Sequence, residues 1–350
     1  AAGGRLEAGR EYTARVFDPS AMSDRAVSMT VTGRAELVVP DSVTRRPDDT
    51  WVVATVDTVP VWVVEETYGG VAVTSWLDED GRLVKAESPM GFTLRRMPFE
   101  LADQQWRRSR DEPAASRYGS VIESTAIAAN AALDPAGVER LVVRLGNVDL
   151  EGFALEGGRQ HLRGDTLSIR RERPTDLRAT YALPYEGGGE PAVALASTPL
   201  IQVDDRRIRE RALRIADGAS DPLEVARRLN EWVYGGLRKE ITLSIPSAVQ
   251  VLESGQGDCN EHTVLYVAMA RALGLPARTA VGLVHLRGTF YYHAWPEVWL
   301  GEEWVAVDPT LGQFPADAAH LRFLNGGLAQ QVELIRLIGR LELDIIDTGP

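Results

Sequence analysis

Cysteine occurs once in 350 residues, so no internal disulfide can form and the fold must rest on packed cores. A single thiol leaves the redox compartment open. Lysine is nearly as scarce, with only Lys85 and Lys239 among 38 basic residues. The bias toward arginine fits a GC-rich genome and leaves few amines for cross-linking the protein to itself. No apolar run approaches eighteen residues, which excludes a membrane-spanning helix. The formal net charge is -12, spread over both halves, and no basic stripe follows a phosphate backbone, so nucleic acid is excluded as a partner. Residues 1 to 200 hold one histidine, His161, and neither metal-ligand spacing nor a phosphate-cradling glycine loop. No cofactor is expected.

What is present suffices for two domains, since 44% of the residues are hydrophobic in a chain of this length. The opening Ala1-Ala2-Gly3-Gly4, without methionine, fits an extracytoplasmic protein, periplasmic or secreted, whose signal peptide has been removed. A sequence that simply begins part-way reads the same. Residues 11 to 102 are rich in β-branched and aromatic residues with stretches of alternation, at 12–17, 27–31, 52–56, 61–64 and 71–76. Asp78-Glu79-Asp80-Gly81 reads as a hairpin turn, and an antiparallel sheet or sandwich follows. A helix is expected over Leu101–Arg110, broken at Asp111-Glu112-Pro113. Strand-like pieces come at 141–145, 167–171 and 178–183, with a short helix or turn at Pro135-Ala136-Gly137. Tyr185-Glu186-Gly187-Gly188-Gly189-Glu190-Pro191 reads as a linker. The expected division is therefore a β-rich domain over 1–195 and a second domain over 196–350.

The second part has different periodicity. Helices are expected at 204–216 and after Asp221, which caps a helix with Pro222 at N1 and Glu224 at N3. The lone cysteine lies in Gly257-Asp258-Cys259-Asn260-Glu261-His262. Asp258 and Glu261 form a capping box, which makes Cys259 the first residue of a helix whose apolar stripe is Leu265, Ala268, Met269 and Ala272. A thiol there faces unpaired backbone N–H groups and the positive end of the helix dipole. An unaided thiol is still mostly protonated at neutral pH, so activation needs a base. His262, one turn along the same helix, cannot swing across the N-terminus within its rotamers. His293 lies on a strand-like run, 289–300, joined by a turn at Gly301-Glu302 to 304–308. If these runs pair as a hairpin, Asp308 can orient the imidazole.

GDCNEH, then GLPAR at 274–278, YHAWPEVWL at 292–300 and WVAVDPT at 304–310 resemble the transglutaminase-like superfamily, over about residues 220–320. The resemblance implies an α+β fold with a papain-like core of helices on an antiparallel sheet, and a catalytic triad of Cys259, His293 and Asp308. Pro315-Ala316-Asp317-Ala318-Ala319-His320 resembles an extension found in bacterial relatives, and its role stays open. Residues 332–346 are expected to add a closing strand or two.

Together these point to a cysteine peptidase or amidase, or a transglutaminase-like acyltransferase, acting on a peptide or protein amide through a thioester. The backbone N–H of Cys259 would meet the oxyanion, with Gln256 as a candidate second donor. Trp295 and Trp299 are candidate cleft walls. A catalytically silent peptide-binding or scaffold module with the same fold is the alternative. A metal site of His293, Asp308 and His320 is disfavoured, because the spacing is not that of a zinc motif.

Overall fold

The computed structural model describes residues 6–18, 23–68, 71–87, 93–111, 125–134, 137–240, 247–326 and 332–349. The expected helix break at Glu112-Pro113 and the turn start at Pro135-Ala136 lie outside these residues. Contacts divide the chain into two compact units, Ala1–Ser124 and Thr125–Pro350.

The first unit is a six-stranded antiparallel sheet in sequence order, β1 (Glu11–Asp18), β2 (Ser23–Arg45), β3 (Trp51–Tyr68), β4 (Val71–Leu77), β5 (Leu83–Glu87) and β6 (Thr93–Arg95). The runs at 52–56 and 61–64 belong to one long strand, β3, paired along its whole length with β2. The turn at 78–81 joins β4 to β5 as expected: the Asp78 carboxylate accepts from the N–H groups of Asp80 and Arg82. Helix α1 (Phe99–Asp111) packs near β3, where the Gln104 carboxamide accepts from the Trp51 N–H and donates to the Trp51 carbonyl. Val31, Val61, Val64 and Val84 are buried, while Val38, Val53 and Val56 on the long strands are exposed.

The second unit is α+β. One sheet has the order β17-β8-β10-β9, from β8 (Arg140–Gly146), β9 (Gln160–Arg163), β10 (Thr166–Arg170) and β17 (Glu342–Gly349). The other has the order β15-β14-β13-β16, from β13 (Ala277–Leu286), β14 (Thr289–Trp299), β15 (Trp304–Ala306) and β16 (His320–Asn325), with the short β7 (Ile127–Ala128) on β14. Among the described residues, five helices precede β13: α2 (Glu190–Val193), α3 (Arg206–Ala216), α4 (Pro222–Gly236), α5 (Ala248–Ser254) and α6 (Cys259–Ala272). A two-residue parallel bridge pairs β11 (Arg238–Lys239) with β12 (Gln256–Gly257).

Their caps follow the sequence. Asp205, Asp221 and Ser247 each accept a backbone N–H at the start of α3, α4 and α5. Helix α6 packs on α3, α4 and α5 and on β13 and β14. It is therefore buried from Glu261 to Ala270 except at the half-buried Val264, rather than along a single stripe.

Two features differ from the sequence reading. Residues 178–183 form no strand. They cross the molecule on isolated bonds instead: Thr180 N–H to the Leu300 carbonyl, the Tyr181 hydroxyl to the Trp299 carbonyl, and Leu183 N–H to the Ser220 carbonyl. The glycine-rich run at 185–191 lies inside the second unit. Tyr185 N–H donates to the Gly274 carbonyl, and Glu190 pairs with Arg278. Strands β8 to β10, N-terminal to that run, pair with the C-terminal β17, which ties residues on both sides of 195 into one unit.

Candidate active site

Cys259 opens α6, as the capping box requires. The Asp258 carboxylate accepts from the Asn260 N–H at 3.0 Å, and the Glu261 carboxylate accepts from the Asp258 N–H at 3.1 Å. The preceding Gly257 has no substitute, since a Cβ there would come within 2.1 Å of the Glu261 Cβ, the residue that closes the box. Cys259 is half-buried against a core that includes Leu141, Leu167, Phe290 and Leu321. One turn on, His262 is fully buried. Its Nδ1–H donates to the Asp258 carbonyl at 2.6 Å, and burial above all lowers its basicity, so it stands neutral and turned into its own helix.

His293 sits on β14, opposite Gly282 of β13. A Cβ at Gly282 would come within 1.9 Å of the Leu321 carbonyl on β16, so a glycine is what lets β16 approach behind the histidine. The hairpin of β14 and β15 forms as expected, and the bend after β15 returns Asp308 to the imidazole. His293 Nε2 and Asp308 Oδ2 are 2.8 Å apart, which leaves Nδ1 for the thiol. Burial would lower the imidazole pKa, but the charge and hydrogen bond of Asp308, with hydrogen-bonding and charge contributions from Cys259, carry it up to about 9. An imidazolium at neutral pH follows.

Asp308 is completely buried and lies well below the usual carboxylate range. Burial opposes that shift; His293 and His320 overcome it. Asp308 Oδ1 accepts from the N–H groups of Thr310 (2.7 Å) and Leu311 (3.0 Å), and Oδ2 faces both His293 and His320. The candidate metal-binding atoms of His293, Asp308 and His320 lie within 4.8 Å of one another, and each takes part in these hydrogen bonds.

The remaining candidates are placed differently. Trp295 is 1% exposed. Its ring stacks on His293 at 6.0 Å and meets His320 edge-on at 5.2 Å, so it packs beneath the site and walls no open cleft. Trp299 lies six residues from His293, roughly 20 Å along an extended strand. It meets Trp304 edge-on and lines a separate cavity of about 390 Å³ with Arg278 and Arg322. The Gln256 carboxamide oxygen accepts from the Arg238 guanidinium. The group that sequence reasoning left without a role is His320 with Asp317; its one signal was the carboxylate and imidazole three residues apart.

Residues 209–309 match the profile of the Transglutaminase-like superfamily, a span that includes Cys259, His293 and Asp308 and ends before Asp317 and His320. That segment is a transglutaminase-like core within an α+β fold. Among solved structures, the chain is similar to a proposed cysteine protease from Cytophaga hutchinsonii, at 15% identity over 60% of this chain and 90% of the other, with a TM-score of 0.43. It is also similar to the periplasmic domain of TgpA from Pseudomonas aeruginosa bound to ethylmercury (14% identity, 58% and 96% covered, TM-score 0.36). A third likeness is to red sea bream transglutaminase (12% identity, 88% and 50% covered, TM-score 0.26). Comparison with curated proteins gave no match.

Proposed function

We propose that this protein is a thiol-dependent enzyme that cleaves or exchanges a peptide or protein amide through a Cys259 thioester. The supporting observation is the placement of His293, held at 2.8 Å by a buried Asp308 and neighboured by a half-buried thiol at a helix N-terminus. His293 as imidazolium stabilises the Cys259 thiolate. The thiolate attacks the amide carbon and the carbonyl π electrons move onto oxygen. As the tetrahedral species collapses, the C–N bond breaks and His293 gives its proton to the departing amine, leaving a thioester. Water or an incoming amine then attacks the thioester carbon, and His293 takes its proton. The C–S bond breaks and the thiolate–imidazolium pair is restored.

Asp308 holds His293 Nε2 throughout, so that Nδ1 stays directed to sulfur and substrate. The Cys259 N–H, free of intrahelical demand at the first helical position, would meet the oxyanion, with Gln256 as the candidate second donor. Hydrolysis is favoured over transamidation as the outcome, on the resemblance to bacterial, protease-like members.

The test uses the single thiol. Iodoacetamide should modify Cys259 rapidly at neutral pH, and His293→Ala should slow the reaction at least tenfold. Equal rates in both proteins would remove the thiolate–imidazolium pair and leave the peptide-binding module as the reading.

A further inference from the structure

We propose that His320 is a positioning residue held as an imidazolium at neutral pH between Asp317 and Asp308, so that the His293-orienting carboxylate is clamped by a second, buried cation. The inference rests on the reading of Cys259, His293 and Asp308 given above and adds a residue from outside the matched span.

The argument is one of donors and acceptors. His320 Nδ1 lies 2.9 Å from Asp317 Oδ1, and its Nε2 lies 3.0 Å from Asp308 Oδ2, with the side chain fully buried. A neutral imidazole has one N–H, so one nitrogen would present a lone pair to a carboxylate oxygen at hydrogen-bond distance. Protonating a carboxylate instead is opposed by the groups around it. Asp317 Oδ1 already accepts from the Ala319 N–H and Oδ2 from Gln313 Nε2, while Asp308 Oδ1 accepts from two backbone N–H groups. These N–H donors stabilise the ionised form of each carboxylate, and both carboxyls are held below their usual range, which favours acceptors on both sides of His320 and an imidazole that donates at both ends. The raised pKa of His320, to about 9 against the pull of burial, agrees with this.

The clamp is itself anchored. Arg159 Nη2 donates to the carbonyls of Ala316 (2.7 Å) and Asp317 (2.9 Å), and Gln313 Oε1 accepts from the Asp317 N–H at 2.8 Å. The His293 and His320 rings are 5.8 Å apart, so the His320 charge acts on the same carboxylate and the same imidazole that serve the thiol. Other groups around it are Cys259 beyond His293, His262 on α6, which feels Asp308, His285 on β13, which feels Asp317, and the Arg159 guanidinium.

Two measurements test the proposal. The first needs no change to the clamp: nitrogen NMR of histidine-labelled protein, with the five histidines assigned by single replacements. It should show both His320 nitrogens protonated at pH 7.5. A neutral His320 at that pH overturns the proposal. The second uses Asp317→Asn. The carboxamide keeps the shape of the side chain but removes one of the two negative charges that hold the imidazolium, while Nε2–H still reaches Asp308. The His320 titration should fall by at least one pH unit. The iodoacetamide rate of the variant relative to wild type should fall at least threefold between pH 6, where His320 is charged in both proteins, and pH 8.5. A ratio that does not change with pH, whether near one or uniformly low, overturns the role, because structural damage slows the thiol at every pH. The His293→Ala comparison separates the two readings. If that variant is slow and Asp317→Asn shows no pH-dependent ratio, only the clamp fails; if His293→Ala reacts like wild type, the thiol reading fails.

Discussion

Strand β14 carries two buried carboxylate clusters, and they differ in one chemical respect. Near His293, Asp308 is shared by two imidazoles; four residues along the same strand, Glu297 is shared by two guanidinium groups. Arg278 lies directly across from Glu297 in the β13–β14 register and reaches it at 2.7 Å, while Arg322 of β16 reaches its other oxygen at 3.0 Å. Arg322 also donates to the carbonyls of Ala154, Glu156 and Gly157, and Arg278 lies over the Trp304 ring. Both clusters satisfy the demand that a buried charge be paired and hydrogen-bonded. A guanidinium keeps its proton at any pH a protein survives, whereas an imidazole exchanges its proton near neutrality. The arginine cluster can therefore only hold strands together, while the histidine cluster, which ends at a half-buried thiol, can also move a proton.

The comparison breaks most sharply at Glu297. Glu297→Gln leaves two buried guanidinium groups without their shared anion, and removal of one partner from such a site typically costs about 3–5 kcal/mol. Calorimetry should show that loss. Below the lowered melting temperature, the iodoacetamide rate at Cys259 should stay within twofold of wild type. A tenfold slower thiol at unchanged stability would mean that the arginine cluster serves the site after all.

A smaller effect separates the clusters by pH alone. His293 and His320 both stand at about 9 in the folded protein against 6.5 for an unperturbed imidazole. Groups raised in this way contribute stability that is fully present below about pH 6.5 and is lost as pH rises through about 9. Asp308 and Asp317 are lowered, so their contribution is present above 3.8 and is lost on acidification. Raising the pH from 6 to 9.5 should therefore lower the melting temperature by about 2–4 °C or more for a unit of this size. The same fall should persist in Glu297→Gln, because the arginine cluster does not titrate there. A flat melting temperature across this range would contradict the imidazolium assignment for both histidines.

How far the sequence speaks for these clusters depends on the distance over which each signal acts. The capping box at Asp258 and Glu261 is local, and it placed Cys259 at the helix start; likewise Asp221 and Pro222 marked the start of α4. His293 and Asp308 were legible because a short turn joins their strands, so pairing of near neighbours sufficed. Glu297, Arg278 and Arg322 come from three strands, and only the β13–β14–β16 register brings them together, so no local pattern announces them. Burial misled the reading of Trp295 and Trp299: alternation puts them on the same face as His293, but not at the same depth or the same end. Glycines at 187–189 suggested a linker between domains, yet the segment lies within the second unit and is tied down at both ends by Gly274 and Arg278. β17 pairs with β8 across about two hundred residues, and periodicity carries no information on such a partner.

Trp295 stands between the two clusters and sharpens the contrast with the smallest change. It is two residues from His293 and two from Glu297 on one face of β14, and the small side chains of Ala280, Ala306 and Ala316 surround its indole. Its Nε1–H is buried with no hydrogen-bond partner among the described residues. Trp295→Phe removes that unpaired donor, which offsets part of the lost packing, so a net cost of about 1 kcal/mol is expected. If the indole only fills space, the iodoacetamide rate and its pH profile should be unchanged in the variant, and the melting temperature should fall slightly. A shift of the pH profile without a change in stability would show instead that the ring stacked on His293 helps set the proton affinity of the imidazole, and the boundary between the proton-moving cluster and the strand-holding one would then lie beyond Trp295.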